Sequence, residues 1–329
     1  MKRRTLTGPS GATPRPGRPA AAPPALLRDP GDTLDGVSIL GEFEDALGVA
    51  LFQTLRSVLL WTATPPDRRP LLFTAAALKS RQRLLARARP APALGQSLEE
   101  LANLVLAKGE AADPVPVAAA CYAISTWAEE QQAPGTAVEF AQAAALTHPR
   151  SANLALHAGE LLYRTGRYVR AETWFRRTLT LARSATDPNA YAEASVDLAW
   201  ILVHDGKPAA ARHHLVRALR AARRAGLPSA HARTLHALIR FATISGDLAA
   251  AEPFVSAAKR LCDPRTSHGA SVLLDLAWLR VAQRRIPEAT RLIDSVASHA
   301  APAQRQAIAE LRAAAASVAR GMSPPQPGE

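Results

Sequence analysis

Residues 155–181 read ALHAGELLYRTGRYVRAETWFRRTLTL, two apolar stripes at helical spacing on either side of one glycine, Gly166. Before that glycine, Ala155, Gly159 and Leu162 share one helical face; after it, Ala171, Phe175 and Leu179 share another. Gly166 reaches positive φ at little steric cost, so the spacing predicts two helices joined by a tight bend there. Gly159 marks a place where the two helices approach closely, Tyr168 opens the second helix, and Ala171 keeps it near the first. One such hairpin cannot bury its own apolar face, so neighbouring hairpins must supply the missing core.

Those neighbours are present. Small residues open the second helix of successive hairpins at Ala137, Ala171, Ala211, Ala251 and Ala289, in steps of 34, 40, 40 and 38. Gly166, Gly206 and Gly246 each stand five residues before one of them. The apolar pattern recurs as Leu198, Leu202, Leu215 and Ala218 around Gly206, and as Leu238, Ala242, Val255 and Ala258 around Gly246. Self-similarity at such a period, here from Ala118 to Ser298, is the sequence signature of a solenoid. The pattern loosens late: Arg284 stands where a turn glycine is expected, and Pro208 and Pro287 replace Tyr168, which the first helical turn tolerates.

These hairpins resemble the tetratricopeptide repeat family. The hairpin from Ala120 to Pro149 has the family's usual length and ends, as the family pattern does, in a helix-stopping proline. The longer hairpins after it are similar to the extended variety found in peptide-sensing and maltose-responsive bacterial regulators. The resemblance covers a little over half of the chain and implies an all-α fold, a right-handed superhelical α-solenoid with an N-terminal helical region. It implies a non-catalytic scaffold that binds a protein or peptide segment in its concave groove, in a regulatory setting.

In that family the first helix of each hairpin faces the groove, and equivalent positions stack into columns. One column here is Thr126, Glu160, Trp200, Arg240 and Trp278, which predicts Arg240 between two tryptophans. A second is Tyr122, Leu156, Val196, His236 and Leu274, flanked by Tyr163, Arg164, His204 and Thr243. The candidate binding set is therefore Tyr122, Glu160, Tyr163, Arg164, Trp200, His204, His236, Arg240 and Trp278, a mixture of the kind found at protein-recognition hot spots. The competing reading is that Trp200 and Trp278 fill space between alanine-rich hairpins.

The second helices carry a different feature. His213, Arg217, Arg220 and Arg224 form one stripe opposite Leu215, Ala218, Leu219 and Ala222, with no acidic residue between Pro208 and Gly226. Such a basic patch fits either a solvated outer face or phosphate contacts to a polyanion. The net charge of +12 raises the weight of the second reading, a nucleic-acid-associated protein, as the alternative to a protein-binding scaffold. Arginine supplies most of that charge, which a coding bias explains equally well.

Outside the array, residues 1–33 form a basic, proline-rich arm with too little large apolar surface to offset the entropy of ordering. It reads either as an electrostatic tether or as an unstructured leader. Residues 34–112 form the N-terminal helical region, 113–300 the array, 301–320 a capping helix and 321–329 an unstructured tail. Helices are predicted over Val37–Trp61, with Leu40, Phe43, Leu47, Leu51, Leu55 and Val58 as its buried stripe, over Asp67–Arg89, and over Ser97–Lys108 with Ser97 as its cap. The first of these either packs on the array or pairs with its copy in a homodimer. The run Phe73–Arg81 lacks the turn residue of a helix-turn-helix, and Lys79, Arg83 and Arg87 read as a solvated face.

The sequence offers no phosphate-cradling glycine loop, zinc-binding His-Glu-x-x-His or nucleophile elbow, so neither an enzyme nor a cofactor is expected. His213 and His214 are adjacent, diverge by about 100° on a helix, and cannot clamp one metal. Two cysteines far apart, Cys121 and Cys262, argue against a structural disulfide. No stretch offers eighteen uninterrupted apolar residues, so no membrane span is expected and the cytoplasm is the simplest compartment.

Overall fold

A hairpin needs its first helix to stop and reverse, and this chain stops it the same way five times. In the computed structural model, which describes residues 36–107, 113–261 and 263–323, the bends lie at Gln132, Gly166, Gly206, Gly246 and Arg284. Their φ values are 57°, 75°, 71°, 72° and 59°. At Gly166 the amide donates to the Tyr163 carbonyl and the next amide, of Arg167, donates to Leu162. The same two bonds recur around Gln132, Gly206 and Arg284, so the last carbonyls of each first helix are satisfied before the chain turns back. Five residues after each bend stands an alanine with no exposed surface: Ala137, Ala171, Ala211, Ala251 and Ala289.

The hairpins so made are α5 (Pro114–Glu130) with α6 (Pro134–Thr147), α7 (Ala152–Arg164) with α8 (Tyr168–Ala185), and α9 (Pro188–His204) with α10 (Pro208–Arg224). They continue through α11 (Pro228–Ile244) with α12 (Leu248–Leu261) and α13 (Ser267–Ala282) with α14 (Ile286–Ala297). Five of these helices begin at a proline, whose fixed φ suits the first turn and whose missing N–H has no partner there in any helix. Asp187 caps α9 by accepting from the amides of Asn189 and Ala190. Among the described residues there is no strand, and the architecture is an all-α solenoid.

The expected close approach at Gly159 is real: a Cβ there would lie 2.7 Å from the Phe175 ring. Burial runs continuously from hairpin to hairpin. Leu219 and Phe254 pack against both the core of α5–α11 and the core that follows it. The first helices of successive hairpins also touch one another, α7 on α9, α9 on α11 and α11 on α13. Crowding in the first-helix layer is the geometry of the inner side of a curved stack. A last helix, α15 (Pro302–Ala319), lies on α13 and α14 and buries Ile308, Leu311 and Val318.

Before the array come α1 (Val37–Glu42), α2 (Asp45–Ala63), α3 (Ala75–Ala88) and α4 (Pro92–Leu101). The single helix expected over Val37–Trp61 is two. The chain bends at Phe43–Glu44 and Asp45 adopts a φ of 70°, which resets the helical phase, so Ile39 is buried and Leu40 is exposed. Gly48 permits the bend, because a Cβ there would fall 1.9 Å from the Phe43 carbonyl oxygen. The helix expected from Asp67 begins only at Ala75, since Pro66–Leu71 is a 3₁₀ stretch containing Pro70. Ser97 is not a cap: α4 already starts at Pro92, and the Ser97 hydroxyl donates to the Ala93 carbonyl within it. A π-type stretch, Ala102–Ala107, follows α4.

Leu51, Leu55 and Val58 of α2 are fully buried, and both α1 and α2 pack on α6. The Glu42 carboxylate fixes that junction by accepting from the amides of Gly135 at 2.6 Å and Thr136 at 2.7 Å, and from the Thr136 hydroxyl. By length and composition α2 is apolar enough to cross a membrane, at a mean hydropathy of 1.3. Its apolar stripe is the core of the N-terminal region here, and Arg56 interrupts the opposite face. The basic arm, Cys262 and residues 324–329 lie outside the described residues.

Candidate functional site

The columns predicted along the first helices separate into three groups of contacts. At the centre, α9 and α11 bring the Arg240 guanidinium 5.4 Å from the centre of the Trp200 ring, with Arg240 exposed and Trp200 half-buried on the core beneath. Trp278 is half-buried too, but packs against the following core; the expected sandwich of Arg240 between two tryptophans is seen on the Trp200 side.

Beside this pair lies an acidic group. Glu160 of α7, with Glu193 and Asp197 of α9, faces Arg233 of α11, which reaches Asp197 at 2.9 Å and Glu193 at 3.6 Å. Arg233 pairs with two of the three carboxylates, and Glu160 feels Arg233 and Arg164 only at longer range. Burial, then the charges of Asp197 and Glu193, push the Glu160 carboxyl up to about 7, against the opposing pull of Arg233. Burial raises the Asp197 carboxyl as well, although Arg233 draws it back. Glu160, Glu193, Tyr122 and His157 line a cleft of about 290 Å³ between α5, α7 and α9. His157 sits with its ring 4.7 Å from Tyr122 and its Nε2 3.2 Å from the Ser125 hydroxyl, and burial holds it below the usual histidine range.

The remaining predicted residues lie toward the bends or in ion pairs. The Tyr163 ring lies tilted against Tyr168 at 5.4 Å, and Tyr168 against His204 at 4.8 Å, forming an aromatic run across two hairpin turns. Arg164 pairs with Glu129, and His236 with Asp275. The predicted residues fall into neighbouring groups whose charges still reach one another, Asp197 and Arg240 acting on the Tyr163 phenol and Arg164 on Glu160. Tyr122 and Glu160 share the acidic cleft, Trp200 and Arg240 form the central pair, and Tyr163, Arg164 and His204 line the turn side.

Comparison with known proteins places this geometry. Residues 150–224 match the family model described as tetratricopeptide repeat. That stretch carries tetratricopeptide repeats. The structure of the chain is similar to the apo form of RapI, with 86% of this chain and 83% of that one covered, 13% identity and a TM-score of 0.50. It is also similar to pilF of Pseudomonas aeruginosa, with 80% and 97% covered, 16% identity and a TM-score of 0.44. At 13% identity the likeness to RapI is one of fold. No curated protein matches the chain.

Glu193, Asp197 and Arg233 escaped the column reading, yet the repeat contains the signal for them. Positions 193 and 197 precede Trp200 by seven and three residues, on the same face of α9, and Arg233 precedes Arg240 by seven on α11. Extending the columns along each helix of the tetratricopeptide array, as well as across it, reaches all three. The basic stripe is where it was expected: His213, Arg217, Arg220 and Arg224 are exposed on α10, while Ala211, Leu215, Ala218 and Ala222 are buried.

Proposed function

We propose that the first-helix face of this tetratricopeptide array binds an extended or helical segment of another protein, with Trp200 and Arg240 at the centre of the contact. The observation that carries this reading is the Arg240–Trp200 pair, an exposed cation held over a half-buried ring beside an acidic cleft. Tryptophan and arginine on a preformed surface are the residues that concentrate binding energy, because they fill area while losing little freedom on association. Glu160 and Glu193 in the adjacent cleft favour a basic side chain of the ligand, and Arg240 an acidic one. In this reading the protein is a non-catalytic cytoplasmic scaffold or adaptor in a regulatory setting.

The test is selection of peptides from a random library on the immobilised full chain, followed by affinity measurement of a selected peptide on Trp200→Ala and Arg240→Ala. Each substitution weakens binding at least about tenfold if the pair is a hot spot. Unchanged affinity in both variants contradicts the reading.

A further inference from the structure

A second cleft lies on the other side of the hairpins, away from the Trp200 face. It has a volume of about 730 Å³ and lies between the end of α8, the start of α9 and the outward face of α10. That size is in the range of small-molecule sites, roughly 300–1,000 Å³. Arg183 of α8 and Arg217, Arg220 and Arg224 of α10 line it together, with His213.

Among the described residues these four arginines, like Arg212, Arg223 and Arg240, lack the carboxylate partner that others have. Arg164, Arg176, Arg233, Arg280, Arg285 and Arg312 each meet a carboxylate. No carboxylate among the described residues comes within ion-pair distance of Arg183, Arg217, Arg220 or Arg224. The acidic side chain at the cleft, Asp187, caps α9 by accepting its first amides and makes no ion pair with the stripe. Like charges gathered without a counter-charge repel one another, and an anion seated among them removes the repulsion. His214, just behind the stripe, reports the local field: burial first, then the cations of His213, Arg176, Arg217 and Arg183, hold it below the usual histidine range.

The floor is not polar. Ala182, Ala221 and Pro188 line it, and Tyr191 lies there with the Arg183 guanidinium 5.3 Å from its ring centre. Guanidiniums present planar forks that match phosphate oxygens, and an apolar floor between them suits a compact organic body. We propose that this cleft is a binding site for a small organic polyphosphate of nucleoside-triphosphate size, its phosphates held by Arg217, Arg220 and Arg224. The cleft is bounded by α8 and α9 at a volume of compact-ligand size, which favours such an anion over a long duplex.

Isothermal titration of the full chain at low salt with tripolyphosphate, ATP and a 16-base-pair DNA duplex tests this. The expected result is one site, ATP bound several-fold more tightly than tripolyphosphate, and at least a tenfold loss for both in Arg217→Ala/Arg220→Ala. The control Lys259→Ala/Arg260→Ala, on exposed positions of α12, leaves both affinities unchanged. Both double variants change exposed side chains, so their unfolding curves match the parent. Absence of binding by either phosphate probe, or unchanged affinity in Arg217→Ala/Arg220→Ala, overturns the site. Equal affinity for tripolyphosphate and ATP overturns the organic body. Tighter binding of the duplex than of ATP, falling steeply with salt, makes the occupant a nucleic acid and overturns the small-ligand assignment. None of these outcomes touches the Trp200 face, so the two proposals fail separately.

Discussion

Arg284 holds at the last bend the left-handed backbone that glycine holds at Gly166, Gly206 and Gly246, with φ at 59° against 71–75°. A side chain in that region costs about 1 kcal/mol, which glycine avoids. Gly206→Ala therefore lowers stability by about 1 kcal/mol, and Arg284→Gly raises it by up to about 1 kcal/mol, less the extra freedom glycine gives the unfolded chain. Urea unfolding monitored by circular dichroism reads both as opposite shifts in midpoint. The glycine bends were legible because only their backbone requirement selects glycine. Arg284 was placed only by its register with those glycines, and Gln132 was not placed at all, because the surrounding hairpin imposes the same φ on residues that do not prefer it. Glu160 adds a pH signature. Its folded-state pKa of about 7 lies above the ordinary 4.5, so the folded chain keeps a proton that the unfolded chain has lost. Stability accordingly falls as pH rises between those values, and Glu160→Gln removes the penalty. The variant unfolds at the same temperature as the parent at pH 4 and at a higher one at pH 8, by an amount worth about 1 kcal/mol once partial solvation is allowed for.

At the scale of elements, the helices of the array could be read closely and those before it only in outline. A repeat restates each boundary several times, so Ala171 and Gly166 are confirmed by Ala211 and Gly206 one period on. The N-terminal region states each boundary once. There, a tertiary contact decides: the bend after α1 aims Glu42 at the first turn of α6, and nothing local to Val37–Trp61 announces that partner. Because Glu42 acts as a borrowed cap for α6, Glu42→Ala costs about 1–2 kcal/mol, as loss of a helix cap does. It also speeds amide exchange at Gly135 and Thr136 specifically, whereas a substitution that merely loosens α1 speeds exchange throughout Val37–Glu42. Arg81 shows the same limit. It sits inside a stretch read as solvated, yet is buried against α2 with its guanidinium on the Thr54 and Ser57 hydroxyls. Lys79, Arg83 and Arg87 are exposed as expected, while Arg81, out of phase with that stripe, shares the inward face of Leu85.

At the scale of the molecule, hairpins that share cores create two faces with different chemistry. The first-helix face mixes Trp200, Arg240 and a carboxylate cluster governed by Arg233; the opposite side carries Arg183, Arg217, Arg220 and Arg224 with no carboxylate in ion-pair reach among the described residues. The column arithmetic found Glu160, Trp200 and Arg240, because stacking at a fixed period makes distant residues neighbours, and helical spacing found Arg217, Arg220 and Arg224; Glu193, Asp197, Arg233 and Arg183 lay outside both readings. It could not divide the first set into cleft, central pair and turn cluster, since that division depends on side-chain directions such as Arg164 toward Glu129 and Tyr168 toward His204.

Hydrogen–deuterium exchange of the full chain, with and without a peptide selected on it, tests the central claim most directly. The account predicts that the peptide slows exchange in α9 and α11 around Trp200 and Arg240, and leaves α10 and α12 unchanged. Protection confined to α10 and α12, or absent from α9 and α11, would contradict it.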